Sequence, residues 1–270
     1  MMMKSIAVPH FIYGPVPKKG YSKRAVSPDI YPEEYEHLLG SYIPVDPTYL
    51  RTGDVSNHEA RIIASVPQND CIYFSRIFRR PRLDEKGRTG ILTHTVLLPR
   101  KELENGLSYN DVEEALKNFE VMNPEIKIGN MPLLEISWEK QASELMKMKS
   151  LISKDSLTRL AEGFTKEPNL KYAVTCKGME PPQRMELGYA LSRFFDIELK
   201  LVPISLITEP PLTIANSPFN LVLSHMKMPI PPRIGWNVIS THAGSELSGM
   251  SASSKEVMKK AIDDLFSLRQ

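Results

Sequence analysis

His94 stands between Thr93 and Thr95 in the apolar run Ile91-Leu92-Thr93-His94-Thr95-Val96-Leu97-Leu98. An unperturbed imidazole titrates near ~6.5, which suits a general base or a ligand contact. That chemistry requires a nucleophile, for which Ser22 and Ser27 are the candidates, yet no Gly-x-Ser-x-Gly elbow surrounds any serine. The plainer expectation is a buried histidine hydrogen-bonded to a neighbouring strand or loop. The second constellation is a cluster of arginines, Arg76, Arg79, Arg80, Arg82 and Arg88, beside Lys86, Asp84 and Glu85. Strand alternation places Arg76 and Arg80 on one face and Arg79 on the other. Such a cluster is either a solvated hairpin tip or the contact for an acidic protein surface or a phosphate backbone. Tyr73, Phe74 and Phe78 interleave with it and would permit base stacking, although strand aromatics more often fill a core.

Weaker signals accompany these two. Thr175-Cys176-Lys177-Gly178 follows a strand and precedes a helix opened by prolines, where an anion would be favoured. No glycine-rich nucleotide fingerprint is present, so a plain connecting turn is the default. The six histidines are scattered and the cysteines are not at zinc-ligand spacing, so no metal and no cofactor are expected. Glu33, Glu34 and Glu36 read as a solvated helix face. The proline-rich stretch 203–232 reads as rigid surface connections or as an extended partner-binding segment.

The elements that must position these residues are legible from periodicity. Ile72–Arg79 and Ile91–Leu98 read as a β-hairpin about a polar turn at Asp84–Gly90. Before it come a strand over Ile6–Tyr13, a partner over Tyr21–Ser27, a helix from Pro32 carrying Tyr35, Leu38, Leu39 and Tyr42, a loop over Asp46–His58 and a strand over Ala60–Val66. Behind it Ser108 and Asp111 form a helix start leading into Val112, Leu116 and Phe119, and 123–132 is a break. The second half alternates: a helix over Ser153–Phe164, a strand over Lys171–Cys176, a helix over Pro181–Phe195, and a strand over Glu198–Ile207. Strands at Phe219–Leu223 and Trp236–Ser240 follow, then a last helix capped by Ser253 and Glu256.

The chain has 270 residues, 41% hydrophobic and 24% charged, with a net charge of +2. That composition predicts a folded protein with a sizeable core and argues against a bulk polyanion binder. Cys71 and Cys176 read as buried free thiols of a reducing compartment, and no leader or membrane-length apolar run occurs, so a cytoplasmic protein is expected.

Three pieces together carry a resemblance: Gly20-Tyr21-Ser22 with Ser27 just beyond; the strand with Tyr73, Phe74 and Arg76; and Arg88-Thr89-Gly90-Ile91-Leu92-Thr93-His94-Thr95 followed by a helix–strand–helix–strand succession ending at Thr208. This order resembles the N-terminal domains of the GTPase-associated proteins of bacterial and archaeal conflict systems. The resemblance implies an adaptor or scaffold beside a GTPase. It maps the recurring family positions onto Gly20, Tyr21, Ser27, Tyr73, Thr93 and His94, with no catalytic residue to carry over. The combined expectation is an α+β protein in two parts, an antiparallel-sheet domain over 1–125 and an α/β domain over 126–270 packed against it. Its expected role is a non-enzymatic interaction module with a protein partner and no membrane. Nucleic-acid binding through Arg76–Arg88, or an enzyme using His94, are the alternatives.

Overall fold

The computed structural model describes residues 3–16, 18–30, 60–66, 70–80, 90–123, 128–139, 144–166, 171–201, 203–208, 219–224, 236–241 and 252–267. The fold is α+β, and the chain divides into two units, Met1–Ala142 and Ser143–Gln270.

In the first unit Pro9 ends one strand and begins another, because a residue without an N–H cannot continue a ladder. The expected single strand over Ile6–Tyr13 is therefore two, β1 (Lys4–Val8) and β2 (His10–Val16). The next strands are β3 (Gly20–Val26), β4 (Ala60–Val66), β5 (Cys71–Arg80) and β6 (Gly90–Pro99). A short helix α1 (Arg100–Glu104) leads to α2 (Tyr109–Met122), then to β7 (Gly129–Asn130) and β8 (Leu134–Trp138). The main sheet runs β4-β5-β6-β2-β3-β7, antiparallel except for the parallel β3–β7 edge. β1 pairs instead with β8, from Lys4 opposite Trp138 to Val8 opposite Leu134. These pairings of β7 and β8 carry the first unit to Ala142, beyond the division at 125/126 read from the sequence.

The expected β5–β6 hairpin forms, with Arg76 opposite His94 and Ile77 opposite Thr93. Ser108 caps α2 as the sequence indicates, accepting from the Asp111 N–H at 3.1 Å while its own N–H donates to the Asp111 carboxylate at 2.9 Å. One face of the sheet buries Phe11, Ala64, Tyr73 and Leu97 together with Ile30. The opposite face receives α2, whose buried stripe is Tyr109, Val112, Glu113, Leu116, Phe119 and Glu120. The Tyr109 and Phe74 rings stack there at 5.8 Å.

The second unit contains α3 (Glu144–Leu151), α4 (Lys154–Lys166), β9 (Lys171–Thr175) and α5 (Pro181–Ser192). A π-helix over Arg193–Glu198 follows, then β10 (Ser205–Thr208), β11 (Leu221–Ser224), β12 (Trp236–Ser240) and α6 (Ala252–Ser267). The strands are all parallel in the order β12-β9-β11-β10. Alternate strand residues Tyr172, Val174, Leu206, Leu221, Leu223 and Ile239 pack with the apolar faces of all four helices. The strand expected over Glu198–Ile207 begins only at Ser205. Its first part is wound into the π turn, where the N–H groups of Leu199 and Leu201 reach back to the carbonyls of Phe194 and Phe195. Ser253 lies inside α6, one residue after its start, and not at a cap. Of the two thiols Cys176 is buried, but Cys71 is only half-buried. The helix from Pro32, the loop over Asp46–His58 and the hairpin turn at 81–89 fall outside the described residues. Among the described residues no helix is long and apolar enough to cross a membrane.

Gly163 shows how tightly α4 lies on β9. A Cβ there would meet the Tyr172 ring, with Cζ at 2.6 Å, and that ring is wedged edge-on against Phe164 at 4.7 Å. Gly163→Ala gains about 1 kcal/mol of helix propensity but loses about 1–3 kcal/mol to overpacking. A net loss of stability is expected in thermal unfolding, relieved when Tyr172→Leu is added.

Candidate functional site

The side chains with chemical potential converge between α2 and the sheet, and the sheet register explains how. Residues that share a face of a strand are two apart, so His10, Arg76 and His94 face α2 while Tyr73, Thr93 and Thr95 face the other way. Phe119 packs edge-on to the His10 ring at 4.8 Å and lies 5.4 Å from that of His94.

A continuous polar chain runs through this layer. The Arg76 guanidinium donates to Glu120 Oε2. Glu120 Oε1 lies 3.2 Å from His94 Nδ1. His94 Nε2 lies 2.7 Å from His10 Nδ1, and His10 Nε2 donates to the Pro132 carbonyl at 2.7 Å. The chain therefore ties β5, α2, β6, β2 and the approach to β8 to one another. Both imidazoles are fully buried, and Arg76 and Glu120 are nearly so. Burial pushes the His10 pKa down to about 4, helped by the neighbouring His94 and opposed by the Pro132 hydrogen bond. Burial likewise holds His94 below the ordinary imidazole range against the opposing pull of Glu120.

This arrangement corrects one sequence expectation. Arg76 is no surface contact: its guanidinium is sealed beneath α2, paired with Glu120 and lying 4.9 Å from the Phe78 ring centroid. The side chains of Arg79 and Arg80, and all of Arg82 and Arg88, lie outside the described residues. The family-like positions do not gather into one pocket. Tyr73 belongs to the apolar cluster on the far face, and Thr93 is buried on that same face. Gly20 and Tyr21 pair as backbone of β3 with Val16 and Pro15. Ser27 accepts from the His10 N–H at 2.8 Å and donates to the Pro28 carbonyl at 3.1 Å. Its hydroxyl is thus a strand-end fastener, and Ser22 Oγ turns to the Lys23 carbonyl.

The residues the sequence reading missed are His10 and Glu120. A signal existed for the second: Glu113 and Glu120 share one heptad position, next to that of Val112 and Phe119 and inside the buried stripe of α2, where a solvated carboxylate would not fall. Glu113 has a parallel role, accepting from Arg61 Nε at 2.9 Å and Arg61 Nη2 at 2.5 Å. In the second unit, β9 turns through Gly178 at φ +80 into α5, where the Glu180 N–H donates to Gln183 Oε1 at 2.9 Å. Among the described residues no group of three or more His, Cys, Asp or Glu side chains is placed to hold a metal ion.

No family model matches the chain, and no curated protein matches it. Among solved structures, the K. lactis Lst4 longin domain aligns at 14% identity over 46% of this chain and 81% of that one, with a TM-score of 0.20. So loose a superposition carries no argument about fold or role.

Proposed function

We propose that the protein is a non-enzymatic interaction module, an adaptor or scaffold that docks a protein partner in a GTPase-linked prokaryotic assembly. The observation that supports this reading is the state of His94, the strongest candidate base in the sequence. It is 0% exposed, with one ring nitrogen engaged by His10 and the other facing Glu120. A base so enclosed offers a substrate no approach, and the nearby serine hydroxyls serve the backbone. A polar chain of this kind, joining five segments, fixes a binding scaffold instead.

Arg79, Arg80, Arg82 and Arg88 remain the contact residues of this reading, and Arg76 leaves the set. Reversing Arg79, Arg80 and Arg82 to glutamate is expected to abolish partner recovery when the tagged full chain is purified from its own organism with nuclease present. Stability should change by no more than about 0.5 kcal/mol per substitution. Unfolding of the triple variant would make the arginines structural. Recovery of material only when nuclease is omitted would assign them to nucleic acid, where counterion release gives a steep salt dependence.

A further inference from the structure

The sheet carries one transverse polar row beneath α2. Arg61 on β4 lies opposite Arg76 on β5, and Arg76 lies opposite His94 on β6. Directly opposed side chains stand about 5 Å apart at Cβ, and like charges so placed are destabilising. α2 meets the row with two carboxylates spaced two turns apart, Glu113 on Arg61 and Glu120 on Arg76. Lys117 touches Glu113 at 2.8 Å from the half-exposed rim. Among the described residues the other groups around the imidazoles are the Pro132 carbonyl and the Phe119 ring; Glu135 of β8, which also packs on α2, is exposed. Among the described residues, and with neutral imidazoles, the buried row sets two arginines against two carboxylates.

A count of protons shows how that balance can be upset. The Pro132 carbonyl only accepts, so His10 Nε2 carries a proton. A neutral His10 then presents a bare Nδ1, which accepts from His94 Nε2–H. His94 is left with a bare Nδ1 facing the Glu120 carboxylate, and at 3.2 Å this is the longest contact along the two imidazoles. Three contacts share two protons. A third proton fits the His94–Glu120 contact. Whichever imidazole then holds the extra charge, a third cation stands beside the two arginines. The row gains one positive charge.

We propose that this row is a proton-operated clasp, in which one proton taken up by the His10–His94–Glu120 chain loosens α2 from the sheet on acidification. The direction follows from burial. His10 falls from the ordinary 6.5 to about 4 in the folded protein, and His94 is lowered too. The unfolded or opened state therefore binds the proton first. The clasp is fully closed above the unfolded value of 6.5 and weakens as pH falls from there towards about 4.

The test is amide hydrogen exchange across α2 in the full chain, corrected for intrinsic rates, at about pH 7.5 and about pH 5. The His10 shift alone, 6.5 to about 4, predicts a loss of protection of roughly thirtyfold over that interval. A variant carrying His10→Gln and His94→Gln should show protection nearly independent of pH. An equal loss in both proteins would overturn the clasp and assign the effect to other groups. So would wild-type protection that does not change. Should the variant not fold, imidazole NMR titration of the wild type decides: one shared protonation below about pH 5 supports the clasp, and two independent titrations near ~6.5 end it.

Discussion

Replacing Glu120 with alanine is expected to release α2, at a cost of about 3–5 kcal/mol, the range found when one member of a buried ion pair is removed. Two groups lose a partner at once. The Arg76 guanidinium keeps its burial but loses its carboxylate, and His94 Nδ1 loses the contact that orients the ring. Because the chain has two units, a single melting curve does not isolate this loss. Hydrogen exchange does: α2 amides should lose protection by several hundredfold or more, while those of β9 and α4 in the second unit stay unchanged. Val121→Ala, at a residue that is 77% exposed, provides the control and should leave exchange as it was. A loss below about 1 kcal/mol for Glu120→Ala would mean that the pair is a passenger in the packing. The Glu120→Gln variant separates charge from hydrogen bonding. Its amide N–H can donate to His94 Nδ1, so it should recover the histidine geometry while the ion pair with Arg76 is lost.

Much of the scaffold was legible in local pattern. The β5–β6 hairpin and β4 follow from β-branched and aromatic runs, α2 from the Ser108–Asp111 cap, and α4 and α5 from apolar residues at helical spacing. Features that depend on distant partners were not. β8 alternates over only five residues, Leu134, Ile136 and Trp138 inward and Glu135 and Ser137 outward, and exists as a strand because β1 is beside it. The π-helix carries the same apolar residues a strand would, and its identity rests on backbone bonds from Leu199 and Leu201 that no side-chain pattern encodes. Arg76 illustrates the limit most clearly. Alternation says which face of β5 it occupies, but not that the face is covered by a helix bringing a carboxylate. The polar chain joins residues 10, 76, 94, 120 and 132, so its members come together only after the sheet and α2 have assembled.

The second large effect concerns the other end of the row and is asymmetric. Arg61 is fully buried and donates to both oxygens of Glu113 and to the Ala60 carbonyl at 3.1 Å. Arg61→Ala deprives Glu113 of one cation but leaves it Lys117 at 2.8 Å, which reaches water. Glu113→Ala takes from the fully buried Arg61 the carboxylate that accepts from it twice, while Arg76 stands opposite it across the β4–β5 ladder. Glu113→Ala is therefore expected to cost more than Arg61→Ala, near the upper end of the ~3–5 kcal/mol range for a broken buried pair. The double replacement Arg61→Met with Glu113→Leu should cost far less than the sum of the two losses, because desolvating two charges consumes most of what their attraction returns. Denaturant unfolding of the three variants, read through α2, measures this coupling. Equal single-site costs would show that Lys117 shields nothing. A double variant as unstable as Glu113→Ala would show that the site needs the shape of the arginine as well as its charge. If the double variant is stable, the polar row is not required for docking α2, and its retention beside the two histidines fits a part whose hold on the helix is meant to change with pH.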